Sequence, residues 1–243
     1  MDDFALIIQC RVSSSRLPKK ILLKLGKNTL LEFLLNNLKK IKNLKIICAI
    51  AKEKGNKKLK DILNKNQINF YEGSVNNVLQ RYYMAAKKFN CKKNIIRITS
   101  DCPLVDVGLI KKGINLFKNK KIDYLSNNLE PSFPHGLDFE IFTFKALEET
   151  IKQSTKKSEK EHVTEYIKKN KKFKKINLKN NTKLDKYYRW TIDTHLDYKF
   201  IKTLYKKFLI KKKTFDWVQI LNFLKKNNKI NQINASTHHF YFN

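Results

Sequence analysis

The feature that most constrains this chain is alternation. Short apolar runs of strand length fall at 4–9, 45–51, 69–71, 95–99, 123–125, 138–144 and 175–177, with a shorter one at 189–192. Between most of them lie longer stretches whose leucines and isoleucines recur at helical spacing. Parallel strands need crossover connections, and helices are the usual crossover. The pattern therefore predicts a largely parallel sheet covered by helices.

The helix starts support that reading. Thr29-x-x-Glu32 is a capping box ahead of Leu30, Leu31, Leu34, Leu35 and Leu38. Ser158-x-x-Glu161 predicts a second helix, running to about Lys169. Thr194-x-x-Asp197 leads a helix with Phe200, Ile201 and Leu204 inward. Asp106 caps a helix holding Leu109, Ile110, Ile114 and Phe117; Ser74 and Thr214 are expected to cap helices over 75–89 and 215–225. There is no internal repeat and no long Pro/Gly/Ser linker. One domain over 1–243 is predicted, with 126–185 as an inserted lobe that binds an acceptor and forms a homodimer. Residues 230–243 carry no motif and read as a poorly specified tail.

Composition narrows the function. The formal charge is +31, yet 42% of the residues are hydrophobic, enough for a buried core. The lysines spread from end to end instead of forming one basic arm. They read as a coat on solvated helix faces, so no nucleic-acid partner is expected, although the field draws in anionic ligands. No apolar run approaches the ~20 residues of a membrane span. The acidic start, Met1-Asp2-Asp3, leads straight into a strand, so no signal peptide and a cytoplasmic location are expected. Cys10, Cys48, Cys91 and Cys102 lie far apart without metal-ligand spacing and read as reduced core thiols. Only five of the 52 basic residues are arginine: Arg11, Arg16, Arg81, Arg97 and Arg189. Guanidinium offers a planar fork for phosphate or carboxylate that lysine cannot copy, so chemistry is sought at these positions.

Two of the five arginines sit in the polar loop 10–27, which follows the first strand. Such a loop lies at the carboxyl end of a parallel sheet, where open α/β folds bind ligands. Arg11, Arg16, Lys19 and Lys20 supply positive donors, Ser13, Ser14 and Ser15 supply hydroxyls and backbone N–H groups, and Pro18 stiffens the turn. The loop suits a triphosphate without being a Walker A loop.

The run Leu6-Ile-Ile-Gln-Cys-Arg-Val-Ser-Ser-Ser-Arg-Leu-Pro-Lys-Lys-Ile-Leu22 resembles the N-terminal signature A-R-x-x-S-T-R-L-P-G-K of the CTP-dependent cytidylyltransferases. That group includes CMP-Kdo synthetase, acylneuraminate cytidylyltransferase and the SpsF-like branch. Arg11, Ser14, Arg16, Leu17, Pro18 and Lys20 match; Lys19 stands where glycine is usual, and Ser13 where the SpsF-like branch has glycine. Four further blocks resemble the family in order. Ile96-Arg-Ile-Thr-Ser-Asp-Cys-Pro-Leu104 is similar to R-I-T-G-D-C-P-L, and Arg189-Trp-Thr-Ile-Asp-Thr-His-Leu-Asp197 to R-W-T-V-D-T-P-E-D. Tyr71–Tyr83 is similar to G-S-x-x-D-V-L-x-R-Y-Y, with Asn77 in place of the aspartate. The last comprises 124–129, 133–142 and 161–167, which resemble the SpsF-like branch.

The resemblance implies a Rossmann-like three-layer α/β/α nucleotidyltransferase of GT-A-like fold, with a mostly parallel mixed sheet. It implies nucleotide contacts from Arg11, Ser14, Arg16, Lys20, Arg81 and Asp101, with Arg16, Lys20 and Asp101 catalytic, and a Mg²⁺ site on Asp101 and Asp193. An acceptor pocket is expected from Asn127, Asn128, Asp138, Glu140, His162 and Arg189. The implied reaction moves CMP from CTP to a small anionic sugar-like acceptor and releases pyrophosphate. Two rivals stand beside it. A nucleotide-sugar-dependent glycosyltransferase shares a similar sheet but usually shows a D-x-D motif, which Asp101-Cys-Pro is not. A nucleic-acid-binding protein would rest on the charge alone.

Overall fold

The structure, a computed structural model, describes residues 3–241. Its strands are β1 (Phe4–Cys10), β2 (Lys24–Leu25), β3 (Asn28–Thr29), β4 (Lys45–Ala51), β5 (Asn69–Gly73), β6 (Asn94–Thr99), β7 (Tyr124–Ser126), β8 (Glu140–Thr143) and β9 (Lys175–Asn177). Its helices are α1 (Leu30–Leu38), α2 (Lys57–Lys65), α3 (Val78–Lys88), α4 (Val107–Asn119), α5 (Phe144–Gln153), α6 (Lys157–His162), α7 (Glu165–Lys169), α8 (His195–Lys207), α9 (Trp217–Lys226) and α10 (Asn228–Asn231). A 3-10 segment, Gln232–Tyr241, follows. Among the described residues no helix is long and apolar enough to cross a membrane.

Seven strands form one sheet in the order β5-β4-β1-β6-β8-β7-β9. β8 runs antiparallel to both neighbours; every other pairing is parallel. β1 is an interior strand, apolar on both sides. Leu6, Ile8 and Cys10 face a core shared with α1, α2, α4, α8 and α9, whereas Ala5 and Ile7 face one shared with α3, α5 and α7. The result is the three-layer, mostly parallel sheet expected. Segment 126–185 supplies β8, β9 and α5–α7 to this same sheet and its layers.

The chain leaves β1 toward β4 on one side, and β6 arrives later on the other. The loops after β1 and β6 therefore part at their carboxyl ends and open a crevice, the ligand position of open α/β sheets.

Several local expectations shift. Helix α3 starts later than Ser74 implied: Asn77 caps it through Gln80 N–H, while the Ser74 hydroxyl accepts from Asn77 N–H. Asp216, not Thr214, caps α9. The single helix expected from Ser158 is two short ones. Glu159 caps the start of the first by accepting from the Thr155 and Lys156 N–H groups, and Val163 breaks the run at φ 56°. That break buries Val163 and turns the Thr164 hydroxyl onto Glu140. The 138–144 strand shortens to β8, because Thr143 ends it and caps α5, a helix the apolar pattern had not singled out. Residues 189–192 make one isolated bridge, His135 to Arg189, and no ladder. The tail from 230 is ordered into the core as far as Thr237; Phe242 and Asn243 lie outside the described residues. Asp106 caps α4 as expected and also accepts from Trp217 N–H, tying α9 to α4.

Candidate active site

Three segments meet at the crevice. The loop after β1 ends in a 3-10 turn, Lys20–Leu22, which buries Lys20. The loop after β6 carries Asp101. The third segment, 188–193, is laid across them by the backbone: Ile192 N–H donates to the Asp101 carbonyl at 2.9 Å, and the Thr191 hydroxyl donates to it at 3.2 Å. On its other side the segment bonds to the 133–137 loop, where Trp190 N–H donates to the His135 carbonyl. Gly136 (φ 105°) permits that approach, since a Cβ there would lie 2.5 Å from Thr191 N.

The outcome is a charged cluster drawn from distant sequence. Lys20 Nζ donates to Asp101 Oδ2 at 2.8 Å, to Asp193 Oδ1 at 2.8 Å and to the Ile192 carbonyl at 2.7 Å. Burial alone would push the ammonium's pKa down, but the two carboxylates outweigh it and hold it above its ordinary value. Arg16, half exposed, approaches Asp193 Oδ1 at 3.3 Å. Arg189 donates to Asp193 Oδ2 at 2.9 Å from behind. Two carboxylates within hydrogen-bond distance of one cationic nitrogen also suit Mg²⁺, which takes few protein carboxylates and completes its shell with water and phosphate oxygens. Among the described residues no group of three or more His, Cys, Asp or Glu forms a fuller metal cage.

The loop's backbone is pinned rather than loose. Lys19, in place of the usual glycine, adopts the left-handed conformation (φ 56°, ψ 27°) that glycine would serve, and its N–H closes the turn on the Val12 carbonyl. Val12 and Ser13 N–H groups both donate to Glu53 Oε1, at 2.5 and 3.1 Å. Arg11, Ser13, Ser14, Ser15, Pro18, Lys19 and Lys54, all of the loops after β1 and β4, border an open cavity of about 520 Å³. That is the size range of small-ligand sites.

A cytidylyltransferase family model matches residues 5–233. The chain belongs to the cytidylyltransferase family. It is an enzyme of the nucleotidyltransferase class. A cytidylyltransferase from Leptospira borgpetersenii has the same fold at TM-score 0.89 and 36% identity, over 95% of this chain and 97% of that one. The spore coat polysaccharide biosynthesis protein SpsF of Bacillus subtilis is 30% identical over 220 residues, 85% of this chain and 88% of its own length. An uncharacterized protein of Methanocaldococcus jannaschii is 40% identical over 234 residues, 95% of this chain and 93% of its own. A CMP:2-keto-3-deoxy-manno-octonic acid synthetase complexed with CTP, at 10% identity, TM-score 0.64 and 84% and 98% coverage, shares the fold. These comparisons favour neither the glycosyltransferase nor the nucleic-acid-binding reading.

Within this cytidylyltransferase, the other expected residues fall in distinct places. Arg11 is exposed at the cavity, and Ser14 accepts weakly from Leu17 N–H at 3.4 Å. Arg81 is buried under the β5–α3 loop, where it donates to the Ser74 carbonyl at 2.5 Å and its Nε has no hydrogen-bond partner among the described residues. Burial pushes its pKa down. Asn128 and Asp138 line a small cleft with Arg97 and Lys168. Asp138 is held above the ordinary carboxylate range by burial. Three expected acceptor residues sit differently. Asn127 uses its whole amide to clamp the Leu137 carbonyl and Phe139 N–H. Glu140 is engaged by Arg97, Lys168, Tyr124 and Thr164. Arg189 is buried between Asp193 and Asp197. His162, the remaining acceptor candidate, is exposed at the end of α6.

Glu53 and the tail residues Asn234 and Thr237 escaped sequence reasoning. Glu53 was findable in principle: it lies two residues past β4, and β4 pairs with β1, so its loop must neighbour the loop after β1. Asn234 and Thr237 carried no signal, being small polar residues in an aperiodic stretch.

Proposed function

We propose that this cytidylyltransferase moves CMP from CTP to a sugar acid or a related anionic acceptor, with release of pyrophosphate, in the synthesis of a surface polysaccharide or glycoconjugate precursor. The observation that carries the reading is the convergence of Lys20, Asp101 and Asp193 beside the loop of Arg11 and Arg16. The names of the SpsF relative and of the CTP-bound synthetase support the substrate classes.

An acceptor oxygen attacks the α-phosphorus in line, and the β/γ-phosphates leave as pyrophosphate. There is little covalent work for the protein; it positions two anions and offsets their charge. Arg16 holds the leaving phosphates and Arg11 faces the α/β region, while Lys20, with its three protons on Asp101, Asp193 and the Ile192 carbonyl, sets the two carboxylates and adds its positive charge to the site. Arg81 acts on the nucleotide side. Asn128 and Asp138 border the acceptor, while Asn127, Glu140 and Arg189 shape its surroundings. Asp101 and Asp193 would hold Mg²⁺, which would supply Lewis-acid neutralisation of phosphate charge when bound. We further propose that the enzyme works in the cytoplasm as a homodimer, with 126–185 contributing to the contact.

The test is Asp101→Asn, an isosteric change at a partly exposed carboxylate, so the fold should survive. Pyrophosphate release is followed with CTP, Mg²⁺ and a panel of 2-keto sugar acids and sugar phosphates. Turnover should fall by about two to three orders of magnitude. Near-wild-type turnover would remove Asp101 from the site.

A further inference from the structure

Behind Lys20, Asp101 and Asp193 lies a second carboxylate cluster that the proposed reaction does not use directly. Asp197 is wholly buried. Its Oδ2 accepts from the N–H groups of Asp193 (3.0 Å) and Thr194 (2.9 Å) and from the Thr194 hydroxyl (3.0 Å), as a helix-capping carboxylate does. Its Oδ1 accepts from Arg189 Nε at 3.1 Å. The same guanidinium reaches forward to Asp193 Oδ2 at 2.9 Å. Asp197 therefore fixes Asp193 twice, through the Asp193 backbone N–H and through Arg189.

The rest of the Asp197 shell comes from the carboxyl-terminal 3-10 segment. Asn234 Nδ2 donates to Asp197 Oδ1 at 2.9 Å and to the Arg189 carbonyl at 3.0 Å. The Thr237 hydroxyl lies 3.1 Å from Asp197 Oδ1 and 2.6 Å from the Asn234 carbonyl, sharing its one proton between them. Both residues are buried, at 1% and 4% exposure, in a stretch whose composition is that of a surface tail. The family match ends at residue 233, one position before Asn234.

We infer that this segment is a positioning element for Asp193: Asn234 and Thr237 hold Asp197, Asp197 orients Arg189, and Arg189 sets the direction of the Asp193 carboxylate. The inference rests on the proposed role of Asp193. A buried carboxylate with every lone pair engaged has one orientation; remove a donor and the pair Arg189–Asp197 gains alternatives. Displacements of about 1 Å in a reacting constellation cost about 100-fold in rate. Partners one shell out from a metal ligand are worth about 10- to 100-fold in affinity or activity.

The experiment compares full-length wild type with Thr237→Val, which keeps shape but loses the hydroxyl, and Thr237→Ser, which keeps the hydroxyl. Asn234→Ala is a second, independent removal of a donor. Each is titrated with Mg²⁺ at fixed CTP and read as the shift in melting temperature. Turnover of CTP is measured well below the melting range. Thr237→Val and Asn234→Ala should raise the Mg²⁺ midpoint about tenfold and lower kcat by a similar factor, with KM for CTP little changed. Thr237→Ser should stay near wild type. A lower melting temperature in both donor-deleted variants, with wild-type Mg²⁺ midpoint and kcat, would mean that the segment only stabilises the fold, and would overturn the inference. If wild type itself shows no CTP-dependent shift, the proposed function fails, and the inference with it.

Discussion

Replacing Lys20 by alanine puts the centre of the site under the most direct test. Lys20 is 5% exposed, and its ammonium holds three oxygens, from Asp101, Asp193 and the Ile192 carbonyl. Breaking a buried ion pair by deleting one partner costs about 3–5 kcal/mol, because the remaining charge is left uncompensated. Here the lower end applies. The Asp101 side chain is 28% exposed and regains water, and Asp193 keeps Arg189 and Arg16. A loss of about 3 kcal/mol in a chain of this size lowers the melting temperature by about 6–12 °C. Since domains carry about 5–15 kcal/mol of stability, the fold should persist. Turnover should drop by about 100- to 1,000-fold, the effect of deleting one preorganised charge-stabilising donor. Thermal melts by circular dichroism measure the first effect and pyrophosphate release the second. Asp101→Asn in the Lys20→Ala background removes the facing charge and should recover about 1 kcal/mol or more relative to additivity. A melting temperature within about 2 °C of wild type, or strict additivity in that double mutant, would refute the picture of one ammonium bridging two carboxylates.

Two further predictions concern the ground around the site. Lys19 occupies left-handed backbone, so Lys19→Gly should be more stable than Lys19→Ala by about 1 kcal/mol in urea melts; an alanine variant that equals or exceeds it would show that the turn imposes no such strain. Glu140 is pushed toward protonation by burial, but Arg97 and Lys168 outweigh this and hold its pKa far below the usual range. A depressed carboxylate contributes stability that is full above the unfolded value of about 4.3 and is lost as pH falls toward the folded value. Glu140→Gln should therefore be less stable at neutral pH and lose less stability than wild type on acidification below about pH 4.3; parallel pH profiles would contradict it.

What was legible in the sequence was whatever is written locally. Apolar periodicity marked β1, β4, β6 and the leucine face of α1, and the capping boxes at Thr29 and Thr194 named their helices correctly. Where several local caps competed, as at Ser74 against Asn77 and Thr214 against Asp216, propensity alone could not choose, because packing set the first turn. The break at Val163 was unreadable for a related reason: a valine at positive φ is locally unfavourable and is held there by its burial and by Thr164 reaching Glu140.

The site divides along the same line. The residues that match the family's motifs were identifiable from the resemblance, and the loop 10–27 followed from its place after the first strand. Their mutual arrangement was not. Lys20 meets Asp193 across 173 positions, and Glu53 braces Val12 across 41. Asn127, Glu140 and Arg189 have the chemistry of acceptor ligands, yet the fold buries them and gives their polar atoms to other residues. By itself the sequence determined the helix-covered, largely parallel sheet, the polar loop at its carboxyl end and the kinds of charge brought there, because apolar periodicity and residue type are written along the chain. Only the tertiary structure decided which charges face each other and which are already engaged. Hydrogen bonds and ion pairs depend on distances of a few ångströms, and those distances are set by packing rather than by position in the sequence.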